Sequence, residues 1–269
     1  MPAPAKFAIA FSTYKRPALM CRTLSALRVF TECARTVAIS ADDCSFSEEL
    51  TISNYPDFEA EADISLGCFR ERVGIAKNKN NALLALLART SAKHIIVMED
   101  DVRPFAEGWE DVLIETALHT GQKHLLYMPE KGNYGLVKKT EGLPHRRIEW
   151  KQMCSGLIMY FSRDLLEKIG LFDERFGLYG WEHNELTARA LVAQGIEPNL
   201  YPHCAELEYG NYILSDDAEK RRATKPQDAA IQAEMARKNK PLYDRLMTEH
   251  MQKLAQMDRG RVLLRSEQQ

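Results

Sequence analysis

Short apolar runs alternate with amphipathic stretches through the first half of the chain. The clearest runs lie at 7–11, 37–41, 94–98 and 125–128, and each has the length of a buried strand. Between them, apolar residues recur three or four positions apart, which places their side chains on one face of a helix. The alternation predicts an α/β fold with a mainly parallel sheet flanked by helices.

The pattern changes after residue 128. Residues 129–152 carry glycines and a proline among polar residues, and they predict a long loop of the kind that often covers a site. From residue 215 onward the chain is highly charged and helical in pattern, and Pro226 and Pro241 are expected to break the helix.

The length fits one domain with an appendage. The chain has 269 residues, within the range of a single large α/β domain. We expect the α/β domain to occupy 1–214, with one half at 1–128 and a second half at 129–214. A helical appendage is expected at 215–269.

Composition narrows the class of protein. Hydrophobic residues make up 45% and charged residues 28%, which excludes a disordered or fibrous chain. A net charge of -2 gives no general positive field for nucleic acid. Basic spots at 138–139, 146–147 and 220–222 could still meet an anionic acceptor. The six cysteines form no Cys-x-x-Cys pair, so we expect reduced thiols and a cytoplasmic protein. No apolar run nears the roughly 20 residues of a membrane span.

Polar residues follow three of the predicted strands. Residues 12–16 follow the first strand, and Asp42 and Asp43 follow the second. The third is followed by three carboxylates, Glu99, Asp100 and Asp101. Ligands of parallel sheets bind beyond the carboxyl ends of the strands, so we expect these groups to share one site. Adjacent carboxylates are costly to bury unless a cation offsets them; Mg²⁺ or Mn²⁺ would do so, and a solvated acidic turn is the alternative.

Six segments together resemble a known family. The chain has no GxxxxGK[ST] loop and no GxGxxG motif, so carboxylates and a metal are the main route to a bound diphosphate. In chain order the segments are FSTYKRP, ADDCS, RVGIAKNKN, MEDD, CSGLIMYFSRDLLEKIGLFDERF and YGWEHNEL. This series resembles the GT-A fold glycosyltransferases of the glycosyltransferase family 2 type. The resemblance implies a Rossmann-like GT-A sheet and a nucleoside diphosphate sugar, usually a UDP-sugar, as donor.

The resemblance also implies which residues bind the donor and the metal. Asp42 and Asp43 would contact the base and Asp100 the ribose. The full donor set is Thr13, Tyr14, Arg16, Asp42, Asp43, Lys79, Asn80 and Asp100. The metal, Mn²⁺ or Mg²⁺, would be held by three residues, Asp101, Glu99 and His203, although a lone histidine such as His203 is as often structural.

The segment around Glu182 departs from the family pattern. Inverting members usually carry an aspartate directly after this glutamate and use it as the general base, but here His183 occupies that place. Either Glu182 or His183 could accept the proton, and a cap at a helix start is the structural alternative. Trp181 and Glu185 are expected on the acceptor side. The segment also resembles retaining polypeptide N-acetylgalactosaminyltransferases, so inversion is only the favoured stereochemistry.

These observations predict a metal-dependent glycosyltransferase that moves a sugar to an acceptor hydroxyl. Two other functions remain open: a nucleotidyltransferase with a similar nucleotide-binding half, and a non-catalytic module that binds sugar nucleotides. The first would favour a glycine-rich signature that FSTYKRP lacks. The acceptor could be a glycan, a protein, a lipid-linked sugar or a modified nucleic acid.

Overall fold

A computed structural model describes residues 7–31, 36–42, 63–129, 136–210, 212–215 and 226–266. The strands are β1 (Phe7–Thr13), β2 (Thr36–Asp42), β3 (Asp63–Phe69), β4 (His94–Glu99), β5 (Val102–Pro104), β6 (His124–Tyr127), β7 (Lys139–Leu143), β8 (Arg146–Lys151), β9 (Ile158–Ser162), β10 (Tyr201–Cys204) and β11 (Ile213–Ser215). The helices are α1 (Pro17–Phe30), α2 (Ile75–Arg89), α3 (Trp109–Thr120), α4 (Arg163–Ile169), α5 (Glu182–Ala193), α6 (Ala205–Tyr209) and α7 (Pro226–Ser266), with a 3₁₀ helix at Glu174–Phe176.

The large sheet is mixed, and its amino-terminal half is parallel. Its nine strands follow the order β3-β2-β1-β4-β9-β6-β10-β8-β7. Strands β3, β2, β1 and β4 run parallel, whereas β9 lies antiparallel between β4 and β6. Strands β5 and β11 form a separate antiparallel pair. The α/β class and the mainly parallel sheet predicted from the sequence are confirmed.

The strands and helices form where apolar burial stabilises them. Every residue of β1 and β2 is buried, as expected for strands covered on both faces. Helix α1 buries Met20, Leu24 and Leu27, which share one face. Each such side chain contributes about 1.5–3 kcal/mol when fully buried. This packing fixes β1, β2 and β4 side by side, so their carboxyl ends meet at one edge.

The long loop predicted at 129–152 is wrong over most of its length. Residues 139–151 form the antiparallel hairpin of β7 and β8 at the edge of the sheet. The last four residues of β8 are all buried, and two of them are charged, Glu149 and Lys151. Buried charged residues are uncommon, so this segment did not read as a strand in the sequence. Residues 130–135 lie outside the described part of the chain.

The carboxy-terminal helix is docked against the domain. Helix α7 begins at Pro226, but Pro241 lies inside it, so the predicted break at that proline is wrong. The indole of Trp181 stacks on Tyr243 of α7 with 4.7 Å between ring centroids. His250 Nε2 lies 3.0 Å from Glu185 Oε1 on α5. The division into a domain at 1–214 and a helical appendage at 215–269 stays a prediction.

Among the described cysteines, Cys68 differs from the expectation of reduced thiols. Cys21, Cys154 and Cys204 are free, but Cys68 is disulfide-bonded, so the prediction is wrong at that position. The cytoplasmic location that rested on reduced cysteines stays a prediction. Among the helices that the structure describes, none combines the length and the apolar character needed to cross a membrane.

Candidate active site

A buried ion-pair cluster joins the ends of β1 and β4. The hydroxyl of Thr13 donates to Asp100 Oδ2 at 2.6 Å, and the guanidinium of Arg16 lies 2.8 Å from Asp100 Oδ1. A second nitrogen of Arg16 lies 3.7 Å from Asp101 Oδ2. Burial raises the pKa of Asp100 to about 7, and Arg16 opposes that rise. The structure therefore brings together three predicted donor-site residues and one predicted metal ligand.

Asp42 connects the end of β2 to the start of α2. Its carboxylate accepts hydrogen bonds from the backbone N–H groups of Val73 at 2.5 Å and Gly74 at 2.9 Å. Gly74 has a φ of 91°, and a Cβ there would lie 2.2 Å from the carbonyl oxygen of Gly177. Only glycine fits this position without strain. Asp43 lies outside the described residues.

Lys79 and Asn80 are both buried on α2 but face different partners. Lys79 is 1% exposed, and its Nζ lies 3.0 Å from Glu99 Oε1 and 2.6 Å from His183 Nε2. Asn80 instead holds the backbone of Phe172, donating to its carbonyl and accepting from its N–H at 2.9 Å each. Their predicted contact with the donor stays a prediction.

Glu182 and His183 begin α5 beside the ammonium group of Lys79. His183 Nδ1 lies 3.2 Å from Glu182 Oε1, and the ring of His183 packs edge-on against Phe172. Glu182 is 2% exposed, and burial raises its pKa above the ordinary 4.5. Within the described part of the chain, Glu182 Oε2 has no hydrogen-bond partner. A buried carboxylate oxygen of raised basicity is a fitting proton acceptor.

Two adjoining cavities open onto these residues. The larger, of about 480 Å³, is lined by Glu99, Glu182, His183 and Trp181 among others. That volume lies within the usual range for small-molecule sites. The smaller, of about 80 Å³, is lined by predicted donor-site residues, by Glu99 and by other residues that include three polar or charged ones not named as site residues from the sequence. The predicted donor-site residues are Thr13, Tyr14, Arg16 and Asp42, and the three are Arg72, Asn78 and Gln232.

The three additional residues differ in how they could have been found. Arg72 and Asn78 both lie inside the quoted segment RVGIAKNKN, and Asn78 Oδ1 is buried without a hydrogen-bond partner among the described residues. Arg72 places its guanidinium over the ring of Tyr14, 4.5 Å from the centroid. Gln232 comes from α7 and lines both cavities. No local sequence signal marks Gln232, because its place depends on the docking of α7.

The two residues predicted on the acceptor side both hold α7. The indole N–H of Trp181 donates to the carbonyl of Ala236 at 2.8 Å. Arg189 donates to both carboxylate oxygens of Glu185 at 2.7 Å, and His250 lies at 3.0 Å. Trp181 lines the larger cavity, whereas Glu185 is not among the residues that line it. Their contact with an acceptor stays a prediction.

A divalent ion at this site would need carboxylate ligands from the chain. In the described ranges, no group of three His, Cys, Asp or Glu side chains could hold a metal. Mg²⁺-type ions in nucleotide sites need only one or two carboxylates, because phosphates and water complete the shell. Glu99 lines both cavities, whereas Asp101 is fully buried beside Arg16 and lines neither, so their shared role as metal ligands stays a prediction.

His203, the third predicted ligand, stands apart from both cavities. It is fully buried, its Nε2–H donates to the carbonyl of Met153 at 2.9 Å, and burial lowers its pKa to about 3. Its Nδ1 has no partner among the described residues. The ring is therefore neutral at pH 7, the form that binds metals, but its ligand role stays a prediction.

Comparison with known proteins places this geometry in a known fold. No family model matches the chain. An uncharacterized glycosyltransferase, R363 of Acanthamoeba polyphaga mimivirus, is 28% identical over 138 residues, which are 49% of this chain and 52% of the relative. The chain thus spans about half the length of the curated relative that it matches.

Three solved structures resemble the chain at 12–14% identity. S. aureus TarS has a TM-score of 0.56, with 80% of this chain and 62% of TarS covered, and TarS is also known in complex with UDP. The mannosyltransferase PcManGT from Pyrobaculum calidifontis, in complex with GDP-Man and Mn²⁺, has a TM-score of 0.53. The match covers 97% of this chain and 81% of PcManGT. GalNAc-T7 with UDP, GalNAc and Mn²⁺ has a TM-score of 0.54, with 76% of this chain and 44% of GalNAc-T7 covered. The chain therefore has the GT-A fold of the glycosyltransferases, as its motifs predicted.

Proposed function

We propose that this chain is a glycosyltransferase that moves a sugar from a nucleoside diphosphate sugar to an acceptor hydroxyl. The observation that carries the proposal is Glu182, which lines the same cavity as Glu99 and whose buried Oε2 has no hydrogen-bond partner among the described residues. That cavity adjoins the smaller one, where Thr13, Arg16 and Asp42 lie at strand ends. A proton acceptor and a set of polar groups thus meet at one edge of the sheet.

The proposed donor is a UDP-sugar. Its support is the UDP in the TarS and GalNAc-T7 complexes, set against GDP-Man in PcManGT. In this chain Asp42 would accept from the base, and Asp100 would bind the ribose. Arg16, already paired with Asp100, offers a fixed positive charge near the diphosphate. A guanidinium suits this role because it binds phosphate with two parallel hydrogen bonds.

The proposed cofactor is Mn²⁺ or Mg²⁺, held by Asp101 and Glu99 together with the donor phosphates. Such an ion stabilises the negative charge that develops on a leaving diphosphate. Arg16 lies 3.7 Å from Asp101, so it would share that carboxylate with the ion. Lys79 Nζ pairs with Glu99 Oε1 at 3.0 Å and would orient that carboxylate, while Lys79 itself lines neither cavity.

Glu182 is proposed as the general base. The acceptor hydroxyl would give its proton to Oε2 as its oxygen forms a bond to the anomeric carbon, while the bond from that carbon to the diphosphate breaks. Attack from the face opposite the diphosphate inverts the anomeric configuration. The rise in the pKa of Glu182 caused by burial makes the carboxylate a stronger acceptor for that proton.

The first experiment ranks donors without knowledge of the acceptor. Nucleoside diphosphate sugars are screened by thermal shift with and without Mn²⁺, since a bound ligand raises apparent stability by mass action. We expect UDP-sugars to stabilise the chain and Mn²⁺ to increase that stabilisation. Asp101→Asn should abolish the Mn²⁺-dependent part in calorimetry with UDP. The exposed Asp164→Asn, whose carboxylate is 64% exposed, is the matched control.

The second experiment tests transfer and its stereochemistry. A labelled donor is incubated with panels of glycan, protein, lipid-linked and nucleic-acid acceptors, and the product anomer is read by NMR. An inverted product supports Glu182 as base. A retained configuration would assign the chain to the retaining alternative, and donor binding without transfer to any acceptor would favour a binding module. In a separate incubation with a nucleoside triphosphate and a sugar 1-phosphate, formation of the nucleoside diphosphate sugar with release of pyrophosphate would favour a nucleotidyltransferase.

A further inference from the structure

Lys79 lies at the centre of a polar cluster whose other members line the larger cavity. Its Nζ contacts three groups, Glu99 Oε1 at 3.0 Å, His183 Nε2 at 2.6 Å and the carbonyl of Gly156 at 3.4 Å. Lys79 itself is not among the lining residues of either cavity. A fully buried ammonium group with three acceptors around it uses all three of its N–H donors.

These contacts determine where His183 carries its proton. An ammonium group only donates hydrogen bonds, so at 2.6 Å the Nε2 atom of His183 must accept one. A neutral imidazole that accepts at Nε2 carries its hydrogen on Nδ1. That Nδ1 lies 3.2 Å from Glu182 Oε1, within hydrogen-bonding distance. One oxygen of Glu182 then has a donor partner, whereas Oε2 has none in the described part of the chain.

Gly156 gives independent evidence that the ring position is fixed. A Cβ at residue 156 would lie 2.5 Å from His183 Nε2 and 2.6 Å from two carbons of the ring. Contacts below 3.0 Å require movement, so any larger residue would displace the imidazole. On another side, Phe172 packs edge-on at 5.7 Å between ring centroids. The ring is therefore held by packing as well as by the Lys79 ammonium.

We propose that Lys79 is a positioning residue that acts through His183: it holds the imidazole as the Nδ1–H tautomer, which donates to Glu182 Oε1 and leaves Oε2 to accept the proton of the acceptor hydroxyl. This inference rests on the proposed function, because it takes Glu182 as the base. It assigns His183 the role of orienting Glu182 rather than of accepting the proton. It also gives Lys79 a role other than contact with the donor sugar.

The first test measures the tautomer and needs no substrate. The full chain is labelled with ¹⁵N-histidine, and the ring signals of His183 are identified by their loss in His183→Gln. We expect the Nδ1–H tautomer in the wild type and its loss in Lys79→Met. An Nε2–H tautomer in the wild type would overturn the proposal whatever the enzyme does. Lys77→Met is the matched control, because Lys77 is exposed on the same helix.

The second test separates positioning from donor binding. Lys79→Met is expected to lower kcat by about 10²-fold, the loss typical of a small misplacement of a catalytic group, with donor KM changed less than kcat. Gly156→Ala keeps every charge and displaces only the ring, so it should lower kcat in the same way, even if Lys79→Met fails to fold. A rise in donor KM at unchanged kcat in Lys79→Met would assign Lys79 to the donor and overturn the inference.

The two tests also distinguish this inference from the proposed function. If the Nδ1–H tautomer is present but Glu182→Gln transfers sugar at the wild-type rate, the assignment of the base fails, and with it the role proposed for Lys79. If Glu182→Gln is inactive and the tautomer is Nε2–H, only the role of Lys79 fails.

Discussion

The carboxylate of Asp42 accepts a hydrogen bond from the backbone N–H of Gly74 at 2.9 Å, and this bond ties the end of β2 to the start of α2. Asp42 therefore does more than line the smaller cavity. It fixes the first turn of the helix that carries Asn78 and Lys79, one of which lines a cavity while the other contacts His183. A carboxylate predicted to bind the base thus also positions the residues around it.

Replacement of Gly74 is expected to destabilise the fold more than replacement of another glycine with positive φ. Gly74→Ala combines the cost of a backbone conformation nearly restricted to glycine (φ 91°, ψ 166°), about 1–3 kcal/mol, with an overpacking cost of about 1–3 kcal/mol. Gly108→Ala has a φ of 77° but no atom within 4 Å of the added Cβ, so it carries only a backbone cost. Urea unfolding of both variants measures the difference. Equal losses would show that the Gly177 contact relaxes freely.

Glu182→Gln is expected to lower the transfer rate by about 10²–10⁴-fold, the usual loss for a general base, with UDP affinity unchanged. Because burial raises the pKa of Glu182 above 4.5, the rate should fall with decreasing pH through a point above that value. His183→Gln should cost less, since it removes only the orienting contact. A larger loss in His183→Gln than in Glu182→Gln would reverse the assignment of the base.

The buried ring of His124 should make the fold sensitive to mild acid. It is fully buried between the carbonyl of Tyr160 and the hydroxyl of Thr187, and burial lowers its pKa from 6.5 to about 4. Between these values the unfolded chain binds the proton more readily, so the free energy of unfolding decreases as pH falls from 6.5 to 4. The pKa difference between the unfolded and folded states corresponds to a loss of roughly 3 kcal/mol in the free energy of unfolding.

Unfolding of His124→Gln at several pH values checks this expectation. The variant should show a shallower loss of stability over that pH range than the wild type. His119→Gln, at an exposed position of α3, should follow the wild-type curve. Parallel curves for wild type and His124→Gln would contradict the prediction.

The pair of Glu185 and Arg189 should contribute far more to stability than a surface pair of the same spacing. Burial alone would raise the pKa of Glu185, but His250 and Arg189 lower it below 4.5 overall. A lowered carboxylate pKa stabilises the fold above the unfolded value, and that contribution is lost as pH falls below about 4.5. Glu185→Gln is expected to cost about 3 kcal/mol at pH 7.

The control is Glu167→Gln, whose partner Arg163 has the same four-residue spacing but whose carboxylate is 54% exposed. We expect it to change stability by less than about 1 kcal/mol. Chemical denaturation at pH 7 and pH 4 measures both variants, and the gap between Glu185→Gln and wild type should narrow at pH 4. A gap that is constant with pH would contradict the role of the ionised carboxylate.

The sequence was sufficient for the parts of the site that lie at strand ends. Apolar runs identified β1, β2 and β4, and parallel strands share an edge, so Thr13, Asp42 and Asp100 could be placed together. The contact between Lys79 and His183 could not be predicted, because it depends on how α2 and α5 pack on the sheet. The hairpin of β7 and β8 was missed because β8 contains charged residues that are buried in ion pairs. One example is Lys151, which pairs with Glu208.

Because α7 is the last of the described helices to be synthesised, the larger cavity is completed late in translation. Gln232 and Ala236 line the larger cavity, whose other walls come from residues before 185. The ribosome therefore releases most of the sheet before the residues that close this cavity exist. A nascent chain halted before residue 226 would hold its carboxylates in an open cleft, so we expect turnover of the donor to begin only after α7 has been synthesised and docked.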